Sequence, residues 1–195
     1  MPTRKSAPPK KRTPRLKVLS SKIVYRGKVF SVSSDKVHEP TGITAQRDVV
    51  RHSGSVVILA VDERGDEPRI LLERQYRYAA RDYLWELPAG RIDPGEKPLA
   101  GAKRELLEET GYRARQWKLA LSFYASPGFL DETMMLFLAR QLTAGVAEPE
   151  DDERIECRFV PLSQAIEMIL GGEIHDGKAI AGVLWLSEAH RRGNL

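Results

Sequence analysis

After residue 15 the chain is built of short apolar runs set off by turn-forming residues, with longer amphipathic stretches only in its middle and near its end. Ser21 to Val32 alternates around Ile23, Tyr25, Val29 and Phe30, with Gly27 at a turn. Ala45 to Arg51 gives another extended run before His52-Ser53-Gly54. Residues 16–51 therefore predict a small antiparallel unit, which must pack on the rest of the chain or on a second copy to be stable. Ser55 to Ala60 is β-branched and suits a central strand. The turn Asp62 to Asp66 then leads to a hairpin partner at Arg69 to Arg74. Leu84 to Leu87 predicts a short strand running into Pro88-Ala89-Gly90. Lys118 to Tyr124 and Thr133 to Arg140 predict strands on either side of a loop from Ala125 to Glu132, and Glu156 to Val160 predicts another.

Three helices punctuate these strands. Pro94-Gly95 is turn chemistry, Pro98 suits a first helical position, and Gly111 suits a left-handed C-terminal residue, so the segment between them reads as loop, helix, stop. Leu162 to Leu170 is a second helix, ended by Gly171-Gly172. Lys178 to Arg191 is the last, with Ile180, Ala181, Val183 and Leu184 as its apolar stripe. No internal repeat is visible. Strands interleaved with helices predict an α/β chain with a mixed sheet between helices.

The first helix carries an unusual charge pattern. Glu105, Glu108 and Glu109 stand at relative spacings that stack them on one helical face. Like charges at such spacings destabilise a helix by a few tenths of a kcal/mol, roughly, per pair. The segment holds too little positive charge to cancel them, so a hard divalent cation that prefers carboxylate oxygens is the expected partner. Leu99, Ala102, Leu106 and Thr110 form a stripe about 80° wide beside that face, and this predicts one buried side and one side presented to a cleft.

Composition narrows the setting. A chain of 195 residues, 42% hydrophobic, has material for one well-buried domain and a small appendage. No apolar run approaches the roughly 20 residues of a membrane span, and the basic start lacks a following apolar segment, so neither membrane association nor a signal peptide is expected. A cytoplasmic location follows, in keeping with a single cysteine, Cys157, which reads as a small strand residue rather than a nucleophile. The formal charge of +4 resides in the tail: residues 1–15 hold six basic side chains and no acid, which leaves the remainder at −2. With four prolines and almost no apolar content, residues 1–15 predict a disordered basic tail, able to touch nucleic acid only nonspecifically. The predicted organisation is this tail, a β unit over 16–51, and one domain over 52–195.

The spacing Gly90, five residues, Glu96, seven residues, Arg104-Glu105-Leu106, one residue, Glu108-Glu109, one residue, Gly111-Tyr112 resembles the Nudix box of enzymes that hydrolyse nucleoside diphosphates linked to another moiety. The resemblance implies an α/β/α sandwich. It also implies magnesium, with manganese as a substitute, held by Glu105 and Glu109, with Glu108 a ligand or bridging partner and the backbone carbonyl of Ala89 contributing. Glu96 acts nearby through water in this reading, and Arg104 orients the glutamates. The charge argument agrees, because cations bridging carboxylates and phosphate oxygens offset the repulsion between a diphosphate and its nucleophile. A carboxylate outside the box is needed to deprotonate or align water. The resemblance places it on the acidic stretch Glu148 to Glu156, where Glu153 matches best and Glu156 and Asp151 are rivals.

Within the family, Ser126-Pro127-Gly128-Phe129-Leu130-Asp131-Glu132, with Pro127 sixteen residues after Gly111, is similar to the ADP-ribose pyrophosphatase branch. So is Arg74-Gln75-Tyr76-Arg77 followed by Glu86-Leu87-Pro88-Ala89-Gly90. The branch implies a nucleoside diphosphate-sugar substrate, a homodimer formed with the N-terminal β unit, and Arg51 and Arg77 as contacts to the diphosphate or adenosine. Phe30 could stack on an adenine or belong to the core. His38, His52, His175 and His190 lack metal-ligand spacing, and Trp85 and Trp117 read as packing residues. The leading expectation is cleavage of ADP-ribose to AMP and ribose 5-phosphate. Hydrolysis of another derivative such as a GDP-sugar, a nucleotide sensor without turnover, and an RNA-end pyrophosphatase are the alternatives.

Overall fold

The computed structural model describes residues 15–148 and 154–194, and the chain divides between Arg51 and His52 into two compact units. Residues 1–14 of the basic tail fall outside the described residues. The first unit is an antiparallel sheet of β1 (Lys17–Arg26), β2 (Ser31–His38) and β3 (Thr44–Arg51), in that order. Its middle strand was not foreseen, because Ser31 to Lys36 is nearly all polar. The period of two is nevertheless there: Ser33, Asp35 and Val37 are buried on one face. Asp35 draws hydrogen bonds from Ser21, Ser33 and Arg51, which is how a carboxylate tolerates that burial.

The second unit contains β4 (Ser55–Asp62), β5 (Arg69–Arg77), β6 (Asp82–Glu86), β7 (Ala89–Arg91), α1 (Pro98–Thr110), β8 (Tyr112–Tyr124), β9 (Thr133–Ala144), β10 (Glu156–Pro161), α2 (Leu162–Leu170) and α3 (Gly177–Arg191). The sheet runs β10-β5-β4-β9-β8, with β6 beside β5 and β7 beside β4, and it is mixed because β4 and β9 are parallel. β4 shows why the sheet needs helices on both sides. Val57, Leu59 and Val61 enter a core with Leu162, Ala165 and Met168 of α2 and Val183 and Leu186 of α3. Val56, Ile58 and Ala60 enter another with Ala102 and Leu106 of α1. Alternation along one doubly buried strand thus yields an α/β/α sandwich.

Differences from the sequence reading follow from packing. β8 begins six residues earlier than expected, where Arg113 and Arg115 alternate with Tyr112 and Ala114 on an edge strand that needs only one apolar face. In α3, Leu184 is exposed and Ala179, Gly182, Val183 and Leu186 make the buried stripe. A side chain on Gly182 would collide with Leu87 and Leu136, so the helix lies close against the sheet there. No helix among the described residues is long and apolar enough to cross a membrane.

Candidate active site

The acidic helix α1 starts from Lys97 with Pro98 in its first turn and stops at Gly111, which has φ +73° and donates its N–H to the Leu107 carbonyl. Between these ends the buried stripe is Gly101, Ala102, Leu106 and Glu109, while the expected member Leu99 is exposed. The difference arises because β7 and the chain leading into it run across the helix and need a partner there. Glu109, only 6% exposed, accepts the Ala89 N–H at Oε2 over 3.0 Å.

Gly90 explains the closeness of this approach. A Cβ placed on it would lie 2.0 Å from the Glu105 carboxylate, so the bare backbone of residue 90 is what gives that carboxylate its room. The three helix acids are consequently not equivalent. Glu109 is turned to the Ala89 backbone, Glu105 has a side chain 13% exposed, and Glu108 is open at 42%.

The charge expected from outside the segment is partly supplied from within it. Arg104 Nη1 donates to Glu105 Oε1 at 2.7 Å and to Glu108 Oε2 at 3.0 Å. Its Nε and Nη2 donate to Glu96 at 3.1 and 3.0 Å, and Nη2 also reaches the Arg91 carbonyl. One guanidinium fork therefore draws together Glu96, Glu105 and Glu108, a single positive charge that offsets the acids only in part. The hydrogen bond to Glu96, aided by Glu105 and Glu108, raises the Arg104 pKa further, and the same bond holds Glu96 below the usual carboxylate range.

Among the described residues no three acids are gathered in the geometry of a cation site. The donor chemistry nevertheless fits a hard divalent ion, since the Glu105 carboxylate lies against the side-chain-free backbone of Gly90, Glu109 is bonded to Ala89 beside it, and Arg104 ties Glu96 and Glu108 to Glu105. Glu105 and Glu109, with Glu108 at the open rim, are the residues that would hold one. Its chemistry there would be to neutralise phosphate oxygens.

The two arginines assigned to the substrate are engaged in different places. Arg51, the last residue of the first unit, is bound to Asp35 and donates from Nε to Ser33 Oγ at 2.9 Å. Arg77 lies along Glu86, with Nε to Oε1 at 2.8 Å and Nη2 to Oε2 at 2.9 Å, and keeps an exposed edge. Sequence reasoning quoted Glu86 only within the branch motif and gave it no role. It is buried, and it also accepts from Lys178, itself paired with the α3 N-cap Asp176 at 3.1 Å. Burial works to raise the Glu86 pKa, but the Arg77 hydrogen bonds and the Lys178 charge outweigh it and leave the group below its ordinary value. An acid at the inward end of the run Tyr83-Leu84-Trp85 was the signal that could have revealed it.

Glu153 and Asp151 lie outside the described residues. Glu156 opens β10 and stands in register with Arg74, while its neighbour Cys157 points the other way, its Sγ 3.9 Å from the Glu109 carbonyl. Alternation therefore turns Glu156 away from the α1 acids. The Cys157 thiol is pushed up to about 12 by burial and by the nearby carboxylates of Glu73, Glu109 and Glu156, which makes it a poor nucleophile. His52 is tied into the loop after β8, its N–H donated to Asp131 and its ring beside Glu132, a structural role.

A family model described as NUDIX domain matches residues 51–182. The chain is 35% identical over 172 residues to an ADP-ribose pyrophosphatase of Bacillus subtilis, spanning 87% of this chain and 91% of that one. It is 38% identical over 170 residues to an ADP-ribose pyrophosphatase of Mycobacterium tuberculosis, spanning 85% and 80%. A solved structure described as an ADP compounds hydrolase superposes with a TM-score of 0.79 at 20% identity, over 95% of this chain and 100% of that one, a likeness of fold. The glutamate-bearing helix, its glycine strip and the sandwich that carries them agree with these matches, and the chain belongs to the Nudix family.

Proposed function

We propose that this chain hydrolyses the diphosphate linkage of ADP-ribose, giving AMP and ribose 5-phosphate, with magnesium as its ion and manganese as a substitute. The observation that carries the reading is the acid face of α1 set against Ala89 and Gly90, with Arg104 gathering Glu96, Glu105 and Glu108. The relatives named ADP-ribose pyrophosphatase support the choice of substrate. Glu105, Glu108 and Glu109 hold the ion, Ala89 adds its backbone carbonyl, and Glu96 acts beside them. Arg77, braced by Glu86, keeps a guanidinium edge for the diphosphate, and Arg51 is the second arginine assigned to the diphosphate or adenosine. Glu153 holds or aligns the attacking water, a role for which Glu156 is turned to the wrong face of the sheet.

The active form is a homodimer in the cytoplasm. Every residue of β1 is exposed, Val18, Ile23, Val24 and Tyr25 among them, and apolar surface of that extent favours a second copy. Light scattering of the purified chain tests this, and a monomer at micromolar concentration would end the idea.

The deciding experiment is a substrate panel with magnesium, read as release of AMP or of a sugar phosphate. ADP-ribose is expected to be the preferred substrate. Preference for a GDP-sugar would overturn the substrate while leaving the reaction class intact. In the same assay Glu153→Gln is expected to lower turnover with metal affinity unchanged, and full activity would move the base elsewhere.

A further inference from the structure

The face of the sheet opposite α1 carries a cationic cluster that the proposed reaction does not use. Strand register sets Glu156 beside Arg74, Arg74 beside Trp85, and Tyr76 beside Tyr83. Alternation puts these on the face that continues Ile70 and Leu72 beneath α2. Arg158 Cζ lies 4.1 Å from the Trp85 ring centroid, with Nη2 of the same residue 3.8 Å from Met168 Sδ. Arg74 Cζ lies 5.8 Å from the Trp85 centroid and 5.2 Å from that of Tyr83. Two guanidinium groups are thus placed against aromatic rings beside a pocket of about 240 Å³ lined by Arg74, Tyr83, Arg154, Ile155 and Glu156.

Arg77, Arg104, Arg191 and Arg192 each contact a carboxylate, whereas among the described residues no acid comes within ion-pair distance of Arg74, Arg154 or Arg158. Aromatic rings engage the flat face of a guanidinium and leave its N–H edge in the plane for another acceptor. Two lining cations, Arg74 and Arg154, against one lining carboxylate, Glu156, leave net positive charge among the described lining residues, which an anion would offset. Small-molecule pockets usually start near 300 Å³, so the space suits a phosphate with one modest substituent rather than a dinucleotide.

We propose that this pocket is a second binding site for phosphate monoesters, with Arg74 and Arg154 on the phosphate oxygens and Tyr83 against the organic group. Both products of ADP-ribose hydrolysis are phosphate monoesters, so the site would sense product. The proposal rests on the functional reading only for its choice of probes.

The test is calorimetric titration of the full chain in a chelator with AMP, ribose 5-phosphate and inorganic phosphate. Without a cation the α1 acids weaken binding of these anions at the proposed active site, and the Arg74 and Arg154 variants tell the two sites apart. All three probes are expected to bind saturably. Arg74→Ala and Arg154→Ala should each weaken binding roughly tenfold, as loss of a charge-assisted hydrogen bond implies. Tyr83→Ala should weaken AMP more than inorganic phosphate, and Glu109→Gln should change nothing. Arg154 is exposed, so its variant keeps the test valid should Arg74→Ala unfold. Absence of saturable binding, indifference to both arginine substitutions, or loss of binding in Glu109→Gln would overturn the proposal. A chain that binds AMP this way yet leaves ADP-ribose intact would keep the pocket and defeat the hydrolase reading.

Discussion

The carboxylate of Glu105 occupies the space into which a side chain on Gly90 would grow, 2.0 Å from where its Cβ would stand. The obstruction is the far end of a flexible side chain, so Gly90→Ala should displace Glu105 rather than break the fold. On the proposed metal-binding role of Glu105, we expect turnover to fall by about two orders of magnitude or more, since a misplaced carboxylate would lose interactions made at the reacting phosphate. Thermal unfolding should move by only a few degrees. Measuring kcat beside Tm checks this, and a variant with normal turnover would show that the Glu105 position is immaterial.

Glu109→Gln separates charge from shape at a buried position. A glutamine oxygen can still accept the Ala89 N–H, so the fold should lose about 1 kcal/mol at most. Turnover is expected to drop by orders of magnitude, with the affinity for magnesium falling alongside it. A variant that melts instead would mean that the carboxylate is there for stability.

The Arg77–Glu86–Lys178 group predicts a pH dependence with a definite sign. The folded Glu86 carboxyl titrates below its unfolded value of about 4.3, so the folded chain binds fewer protons than the unfolded one in that window. Its stabilisation is complete above that value and disappears as pH falls through the folded pKa. Glu86→Gln should cost about 3 kcal/mol at neutral pH, because two cations lose their buried partner. Urea unfolding should also decline less steeply in acid than in the unsubstituted chain. Equal acid slopes would remove Glu86 from the account.

Gly111 ends α1 at φ +73°, and a Cβ there would meet the Ala147 nitrogen at 2.6 Å. Backbone cannot yield as a side chain does, so Gly111→Ala is expected to destabilise the chain by roughly 2 kcal/mol or more. Chemical denaturation measures it. A loss within a few tenths of a kcal/mol would mean that the cap relaxes freely.

The legible parts were those whose cause is local. Pro98, the glutamate spacing and Gly111 define a helix and its ends within fourteen residues, as neighbouring side chains and backbone alone dictate. The β-branched run at β4 announced a central strand for the same reason. Where a polar residue served a distant partner, reading failed: β2 was missed because Ser33 and Asp35 are buried by bonds to Ser21 and Arg51, fourteen and sixteen positions away from Asp35.

By itself, then, the order of residues determined that an acid-bearing helix follows a strand and a glycine turn, and that sheet and helices alternate. Only the tertiary structure decided how those acids divide: Glu109 to the Ala89 backbone, Glu105 into the gap at Gly90, Glu108 to the open side, and Arg104 across three carboxylates. It also joined Glu86 to Arg77 and to Lys178, ninety-two positions on. Spacing along a helix sets which side chains share a face, but which of them is buried, and beside what, depends on the strand that crosses it.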